Sequence, residues 1–471
     1  MGGRRGRCFP CLFHGRRRSR RRIRRTSPLN EEEEKRSPVL LVSGIGGSIL
    51  NARKKQKNKS GGDAPAIRVW VRFFLASLEF KKYVWSIFNP KTGYTESLDP
   101  DIEVIVPDDD YGLYAIDILD PTWLVRCLHL TDVYHFHDMI DMLLESGYEK
   151  GTTLFGYGYD FRQSNSYCLC HFCLWVNLLL ILVFGWMIRI KKIVDGLREK
   201  LVTAYKASGG KKVNIISHSM GGLVVLAFLS LHRDVFEMYV NSWICIACPF
   251  QGAPGCINDS LLTGLQFVYG LKSFLFVSRW TMHQLLIECP SIYEMLPNPE
   301  FKWKQSPLIN VWRKQSDGKG STSVKMESFG PIETMHLFKE ALQDNELEYD
   351  GKRVPVPFNF SILKWAIETR RIWKSALLPE SVRFYNIFGT SYDTPFDVCY
   401  GSETSPIGNL SEICQSEPGY SWVDGDGTVP TESAKADGFS AAERVGISDT
   451  HRGLLSNETL FQHLKQWLEI N

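Results

Sequence analysis

A serine set among small residues is the first feature of the chain that could do chemistry. Ser219 lies in the hexapeptide SHSMGG, directly after the apolar run KVNIIS and before an apolar, helix-like run. A serine on a sharp turn between a strand and a helix exposes its hydroxyl above the carboxyl end of the strand. Gly221 supplies one of the small residues that this turn needs, and Ser217 stands where a glycine is usual. On its own, the five-residue motif SHSMG also fits an ordinary serine-glycine turn.

The late part of the chain supplies partners for this serine. A serine hydroxyl is a weak nucleophile at neutral pH, so it needs a base, and the base needs a carboxylate that orients it. The stretch VDGDGTVP offers Asp424 and Asp426 in a glycine turn, and SDTHRG offers His451 in a polar loop. We favour Asp426 over Asp424 as the carboxylate. The sequence therefore predicts a triad of Ser219, Asp426 and His451.

Acyl transfer by this triad also needs donors for an oxyanion. Losing one backbone N–H donor typically costs about 2.7–4 kcal/mol of transition-state stabilisation. We expect the N–H of Met220, next after the serine, and that of Ile45, in the glycine turn SGIGG, to be these donors. The glycine turn could also hold a phosphate, but no Gly-Lys-Ser/Thr follows it. The CLCHFC cluster at residues 168–173 lacks a second ligand pair at a suitable spacing, so we predict no metal and no cofactor.

Several motifs, taken in order, resemble the lecithin:cholesterol acyltransferase-like lipases, and among them the plant phospholipase A branch. They are PVLLVSGIGGSI, YDFR, SHSMGG, PFQGAP, DGDGTVP and SDTHRG. The resemblance covers about residues 38–470. It implies an α/β-hydrolase fold, a mobile lid and cap that admit acyl chains, no metal, the triad Ser219, Asp426 and His451, and the oxyanion donors Ile45 and Met220.

The elements that must position these residues alternate along the chain. Strands are predicted near residues 39–42, 152–161, 212–217, 242–247 and 382–388, and helices near 132–145, 191–205, 221–231 and 460–468. This alternation predicts an α/β fold, a mostly parallel sheet with helices on both faces, to which we add a helical cap and a lid. We divide the chain into a basic disordered tail (1–37), a first core part (38–248), a cap (249–379) and a second core part (380–471).

An aromatic and basic segment inside the first core part is the predicted lid, within about residues 52–90. Its sequence RVWVRFFLASLEFKKYVWSIF sets Trp70, Phe73, Phe74 and Trp85 among arginine and lysine. Such a mixture suits a lid at the boundary of lipid headgroups, where Trp70, Phe73 and Phe74 would meet the substrate. An amphipathic helix of the core is the alternative interpretation.

Residues 166–188 are a hydrophobic insertion relative to this pattern. The 23 residues contain no Asp, Glu, Lys or Arg and have the length and hydropathy of a transmembrane helix. They fall between a strand and a helix, where a soluble fold expects only a short loop. Three interpretations stay open: a membrane anchor, an extra hydrophobic hairpin on the cap, and an artefact of splicing or of the gene model.

Charge is placed unevenly in the 471 residues. The formal net charge is +3, but residues 1–25 carry eleven Arg and no acid, and taking these eleven away leaves −8 for the rest. An acidic body argues against nucleic acid as the partner. The basic tail could attract a membrane surface, carry an organelle address or have no role. It lacks the apolar stretch of a secretory signal, so we expect a cytoplasmic protein, peripheral to membranes, with reduced cysteines. A single pass through residues 166–188 is the alternative.

These observations predict a phospholipase A-type serine hydrolase that acts on a lipid substrate at a phospholipid membrane surface. It would release a fatty acid through an acyl-enzyme intermediate. Acyl transfer to a sterol or another alcohol is the first alternative, because it uses the same intermediate. The second alternative is an inactive, membrane-associated lipid-binding variant that the insertion at residues 166–188 disables. The sequence predicts no oligomeric state.

Overall fold

Short apolar runs form the inner strands of the central sheet, and amphipathic stretches form several of the helices. The computed structural model describes residues 36–55, 65–70, 81–123, 133–165, 192–265, 278–316 and 322–470. The strands are β1 (Val39–Val42), β2 (Leu50–Lys54), β3 (Ile67–Trp70), β4 (Ser86–Asn89), β5 (Tyr94–Ser97), β6 (Ile102–Ile105), β7 (Leu154–Tyr157), β8 (Val213–His218), β9 (Val240–Ile246), β10 (Ile309–Ser316), β11 (Thr322–Phe329), β12 (Glu346–Tyr349), β13 (Lys352–Pro355), β14 (Arg383–Thr390), β15 (Tyr392–Tyr400), β16 (Gly419–Gly425) and β17 (Glu443–Ser448). The helices are α1 (His137–Glu145), α2 (Lys192–Ala207), α3 (Met220–Leu231), α4 (Arg233–Tyr239), α5 (Pro254–Leu262), α6 (Arg279–Leu286), α7 (Pro290–Glu294), α8 (Thr334–Ala341), α9 (Phe360–Trp373), α10 (Thr431–Lys435) and α11 (Glu458–Trp467).

The central sheet is parallel throughout. Within the described residues it has six strands in the order β17-β14-β9-β8-β1-β7, and each neighbouring pair runs parallel. From β1 the chain adds β7 on one side and then β8 on the other, so the strand order reverses at β1. In sheets of this kind the loops on either side of such a reversal diverge and open a crevice at the carboxyl ends of the strands. The turns after β1 and β8 border this crevice.

Helices cover both faces of this sheet. On one face, apolar side chains of α2 and α3 such as Leu197 and Val224 pack in one buried layer with Leu40 of β1. On the other face, α1 and α11 contribute Ile140 and Leu464 to a second buried layer. Strands buried from both sides read as continuous apolar runs, as VLLV in β1 does. The predicted α/β fold with helices on both faces is confirmed.

Element ends differ from the prediction where tertiary contacts intervene. The helix predicted from residue 132 begins only at His137. The residues just before it pair with another segment instead, since Leu119 N–H donates to Val133 O and His135 N–H donates to Asp117 O, both at 2.9 Å. Phe136 N–H donates to Ile116 O at 3.0 Å, so it is not available for the bond four residues back that a helix beginning at residue 132 needs.

The cap contains strands as well as the predicted helices. Residues 249–379 hold α5 to α9 but also β10 to β13. Within the described residues, β10 and β11 join β15 and β16 in a four-stranded sheet of order β11-β10-β15-β16. The cap sheet is therefore continued by strands from the last part of the chain. Our boundary between cap and core at residues 379 and 380 stays a prediction.

Several predicted segments lie outside the described residues. They are the basic tail up to residue 35, the insertion at 166–188, and the lid residues 56–64 and 71–80, which include Phe73 and Phe74. Among the helices of the described ranges, none combines the length and the apolar character needed to cross a membrane. Ser37–Asn471 forms one compact unit.

Candidate active site

The turn after β8 holds Ser219 in an uncommon backbone conformation. Its φ is 55° and its ψ −131°, a region that costs a residue other than glycine about 1–3 kcal/mol. At Gly221, a Cβ would lie 2.4 Å from the carbonyl oxygen of Ser43, so the close approach of α3 to β1 requires glycine. Ser217 is buried, and its Oγ accepts a hydrogen bond from Trp243 Nε1 at 2.8 Å. The serine that replaces the usual glycine thus has a partner in the core.

A continuous chain of hydrogen bonds joins the three residues of the predicted triad. Ser219 Oγ lies 2.8 Å from His451 Nε2, and His451 Nδ1 lies 2.8 Å from Asp426 Oδ2. The carboxylate accepts the Nδ1 proton, which leaves the Nε2 lone pair for the serine hydroxyl, as a general base requires. Ser219 is 4% exposed and Asp426 is 1% exposed. Both bonds are therefore largely shielded from water.

Asp426, not Asp424, faces the histidine. Its Oδ1 accepts two backbone N–H groups of its own turn at 2.9 and 2.7 Å, which fixes the carboxylate with Oδ2 toward His451. Asp424 is exposed and accepts the N–H of Ser391 at 2.6 Å and the hydroxyl of Thr431 at 2.8 Å. Asp424 therefore ties two turns together, while Asp426 has the geometry of the orienting acid.

A hairpin that the sequence analysis did not predict delivers Asp426. Strand β14 of the central sheet passes directly through Ser391, whose φ is 68°, into β15, and β15 pairs antiparallel with β16. Asp426 follows the last residue of β16. At Gly389 of β14 a Cβ would lie 2.3 Å from the Asp426 Cβ. Only glycine at this position lets the acid rest on the central sheet.

The glycine turn after β1, residues 43–47, lies against the serine. A Cβ on Gly44 would be 2.8 Å from the Ser219 Cβ. The turn is closed by Gly47 N–H donating to Gly44 O at 3.1 Å, a bond that does not use the N–H of Ile45. Met220 is the first residue of α3, where N–H groups have no partner within the helix. This placement supports Ile45 and Met220 as oxyanion donors, which stays a prediction.

The structure corrects the interpretation of Trp70 as a lid aromatic at the headgroup boundary. Trp70 is fully buried, and its Nε1–H donates to Gly46 O of the glycine turn at 2.8 Å. Trp85 is also buried and donates to the Thr281 carbonyl at 3.2 Å. Aromatic side chains with this burial belong to the core, but Trp70 lies in strand β3 and not in the amphipathic helix of the alternative interpretation. Trp70 instead braces the glycine turn, a role for which the sequence carries no local signal.

Two further imidazoles line the inner side of the site. The ring of His218 lies 4.8 Å from that of His451 and 5.6 Å from that of His135, measured between ring centroids. Burial lowers the pKa of His135 to about 3 and holds that of His218 well below its usual range, so both rings are neutral. Only the position of His218 next to Ser219 could have pointed to the site.

A metal site is absent from the part of the chain that the structure describes. No group of three or more His, Cys, Asp or Glu is placed there to hold an ion. The CLCHFC cluster lies outside the described residues. The six cysteines in the described ranges are free thiols: Cys245, Cys248, Cys256, Cys289, Cys399 and Cys414.

Comparisons with known proteins bear on this site. The family model for lecithin:cholesterol acyltransferase matches residues 75–439. Phospholipase A(1) LCAT3 of Arabidopsis thaliana is 62% identical over 435 residues, which cover 92% of this chain and 91% of that protein. The chain belongs to the lecithin:cholesterol acyltransferase family. The predicted resemblance to the plant phospholipase A branch of these lipases is confirmed, and so is the α/β-hydrolase fold.

Other relatives of this lecithin:cholesterol acyltransferase family chain are more distant. Lecithin-cholesterol acyltransferase-like 4 of Arabidopsis thaliana is 47% identical over 436 residues, covering 92% of this chain and 76% of that protein. A solved structure, reported as the crystal structure of the Tle4-Tli4 complex, matches with a TM-score of 0.48 and 14% identity over 92% of this chain and 98% of that one.

Proposed function

We propose that this enzyme is a phospholipase A-type serine hydrolase that releases a fatty acid from a glycerophospholipid, with Ser219 as its nucleophile. The hydrogen-bonded chain from Ser219 through His451 to Asp426 carries the proposal, because it provides nucleophile, base and orienting acid in one place. A relative named as a phospholipase A(1), 62% identical over nearly the whole chain, supports a phospholipid as the substrate.

Acylation begins when Ser219 Oγ attacks the ester carbonyl carbon and its proton passes to His451 Nε2. Asp426 stabilises the imidazolium that forms. The carbonyl electrons move onto oxygen, and the N–H groups of Ile45 and Met220 stabilise the resulting oxyanion. When the oxyanion collapses, the bond to the glycerol oxygen breaks, and that oxygen takes the proton from His451. A lysophospholipid leaves, and the fatty acyl group stays on Ser219.

Deacylation repeats these steps with water as the nucleophile. His451 takes a proton from water while the water oxygen attacks the acyl carbon. Collapse of the second oxyanion releases the fatty acid and returns the proton to Ser219 Oγ. The two half-reactions use the same oxyanion donors, so this one site completes the catalytic cycle, and the scheme uses no cofactor.

Acyl transfer to a sterol or another alcohol is the second candidate function. The family model and the 47% identical relative, named as acyltransferase-like, favour it. The acyl-enzyme is the same in both cases, and only the group that attacks it differs. Water gives a free fatty acid, whereas an alcohol gives a new ester.

A phospholipid membrane surface is the proposed place of action, with the protein in the cytoplasm and peripheral to the membrane. The eleven Arg in residues 1–25 support attraction to anionic lipids, since each basic side chain near such a surface contributes about 1 kcal/mol.

The test compares three proteins on phosphatidylcholine vesicles, with and without a long-chain alcohol or sterol. They are the full chain, a variant lacking residues 166–188, and Ser219→Ala. We expect fatty acid release by the full chain and at least a 1,000-fold loss in Ser219→Ala, an order of magnitude typical of triad removal. Release that survives in Ser219→Ala contradicts the triad. New ester in the alcohol arm favours acyl transfer, and activity in the deletion variant alone means that the insertion disables the enzyme.

A further inference from the structure

His451 is held at four points, two on its ring and two on its backbone. The ring bonds to Ser219 and Asp426, as described. The backbone N–H of His451 donates to the carbonyl oxygen of Asp426 at 2.8 Å. Its own carbonyl oxygen accepts a hydrogen bond from His218 Nε2 at 2.9 Å. Three of the four bonds come from the nucleophile and the acid, and the fourth comes from the residue directly before the nucleophile.

The proton of His218 has one place in this arrangement. A neutral imidazole carries a single N–H, and the bond to the His451 carbonyl requires it on Nε2. The other ring nitrogen, Nδ1, has no hydrogen-bond partner within the described residues, and a Cβ on Gly44 would lie 3.3 Å from it. Burial lowers the pKa of His218, and the neighbouring His451, His135 and Arg452 lower it further. The donor is therefore uncharged, and it does not repel the imidazolium that forms on His451.

The ring of His218 is also wedged in place. Besides the ring of His451, it meets the ring of His135, with 5.6 Å between the ring centroids. His135 in turn abuts the glycine turn, since a Cβ on Gly47 would lie 2.3 Å from His135 Nε2. The rings of His135, His218 and His451 thus connect the glycine turn with the loop that carries the base. A displacement of His218 moves the carbonyl that it holds.

We propose that His218 is a positioning residue of the acyl-transfer site, which sets the place of the base by donating Nε2–H to the His451 carbonyl. This inference rests on the proposed function, because it assigns His218 a task only if His451 is the base. Ser219 and His218 are consecutive, so the nucleophile and the donor move as one unit. Misplacing a catalytic group by about 1 Å can cost on the order of 100-fold in rate.

Two substitutions of His218 by amide side chains distinguish the effect of its hydrogen bond to His451 from the effect of the size of its ring. The side-chain amide of His218→Gln reaches the position of Nε2, whereas that of His218→Asn reaches only the position of Nδ1. We expect His218→Gln to keep kcat within about threefold of wild type and His218→Asn to lose at least about tenfold, with KM for a short soluble ester changed less than twofold in both. The matched control is His463 on α11, a half-buried histidine against Trp467, where Gln and Asn should give equal kcat.

The measurement is kcat for a p-nitrophenyl ester, obtained as the maximal rate divided by the active-site concentration from fluorophosphonate titration. Equal kcat in His218→Gln and His218→Asn, whether normal or reduced, overturns the inference. Loss of the whole activity in Ser219→Ala together with equal His218 variants overturns this inference alone, while activity in Ser219→Ala overturns the proposed function. If His218→Asn does not fold, the tautomer of His218 in the wild-type enzyme is measured by imidazole nitrogen NMR. A proton on Nε2 is expected, and a proton on Nδ1 contradicts the hydrogen bond to the His451 carbonyl.

Discussion

Replacing Asp426 by asparagine should leave the fold intact and move the proton of His451 from one ring nitrogen to the other. Oδ1 of Asp426 accepts two backbone N–H groups of its own turn at 2.9 and 2.7 Å. An asparagine must keep its carbonyl oxygen there, because its NH2 group cannot accept those bonds. The NH2 group then points at His451 Nδ1, which has to accept a hydrogen bond instead of donating one. The proton of His451 moves to Nε2, where it faces Ser219, and the base can no longer take the serine proton.

The size of this effect follows from the same geometry. The wrong tautomer in a serine–histidine–aspartate triad lowers kcat by about 10⁴-fold, or about 5.4 kcal/mol at about 1.36 kcal/mol per factor of ten. Asp424→Asn is the matched control, since Asp424 is exposed and, among the described residues, its carboxylate bonds to Ser391 and Thr431 rather than to His451. Steady-state hydrolysis of a p-nitrophenyl ester measures both variants. A loss in Asp424→Asn as large as that in Asp426→Asn refutes the reasoning.

Three further perturbations test the supports of the site. Gly389→Ala puts a Cβ 2.3 Å from the Asp426 Cβ, so kcat should fall about 100-fold. The control Gly419→Ala, where the nearest atom to the new Cβ is 3.9 Å away, should keep the wild-type kcat. Equal kcat in the two variants contradicts the support by Gly389. Trp70→Phe removes one hydrogen bond to the glycine turn, worth about 0.5–1.5 kcal/mol, and should lower kcat about two- to tenfold; an unchanged kcat contradicts the brace. Burial raises the pKa of Glu288 to about 7. The contribution of the Glu288 carboxyl group to the free energy of unfolding is therefore full below about pH 4.5 and is lost as the pH rises through 7. Urea unfolding at pH 5.5 and 8 should therefore show a smaller pH difference in Glu288→Gln, and an equal difference contradicts it.

The central sheet and the triad could be predicted because their signals are local. Apolar runs such as VLLV are buried on both faces and stand out from the polar turns that follow them. The residues of the triad lie in glycine-rich or polar turns directly after strands. Ser219 and His451 follow the parallel strands β8 and β17, which end at the same edge of the central sheet, so these two residues were expected to meet. Asp426 instead follows β16 and reaches them through the hairpin.

The hairpin of β15 and β16 escaped prediction because it lacks such a signal. Strand β16 has the sequence GYSWVDG, and most of its residues are exposed or half-buried. Strand β11 of the same sheet is exposed along most of its length. Polar strands at the edge of a sheet are stabilised by pairing with neighbouring strands, and a short stretch of sequence carries no information about those partners.

Contacts between distant segments account for the remaining differences. His218 and the carbonyl that it binds are 233 residues apart, and Trp70 meets its acceptor in a turn 24 residues earlier. An aromatic residue among basic ones suits an exposed lid or a buried core equally well. The burial of Trp70 is decided by Gly46 and Phe161, which pack against its ring.

Trapping the acyl-enzyme tests the central claim most directly. The enzyme is mixed with phosphatidylcholine vesicles, quenched in acid within the first turnovers, digested, and examined by mass spectrometry. We expect a fatty acyl group on the peptide that contains Ser219, and we expect it to form and decay at least as fast as fatty acid is released. Fatty acid release without any acyl group on Ser219 would contradict the account.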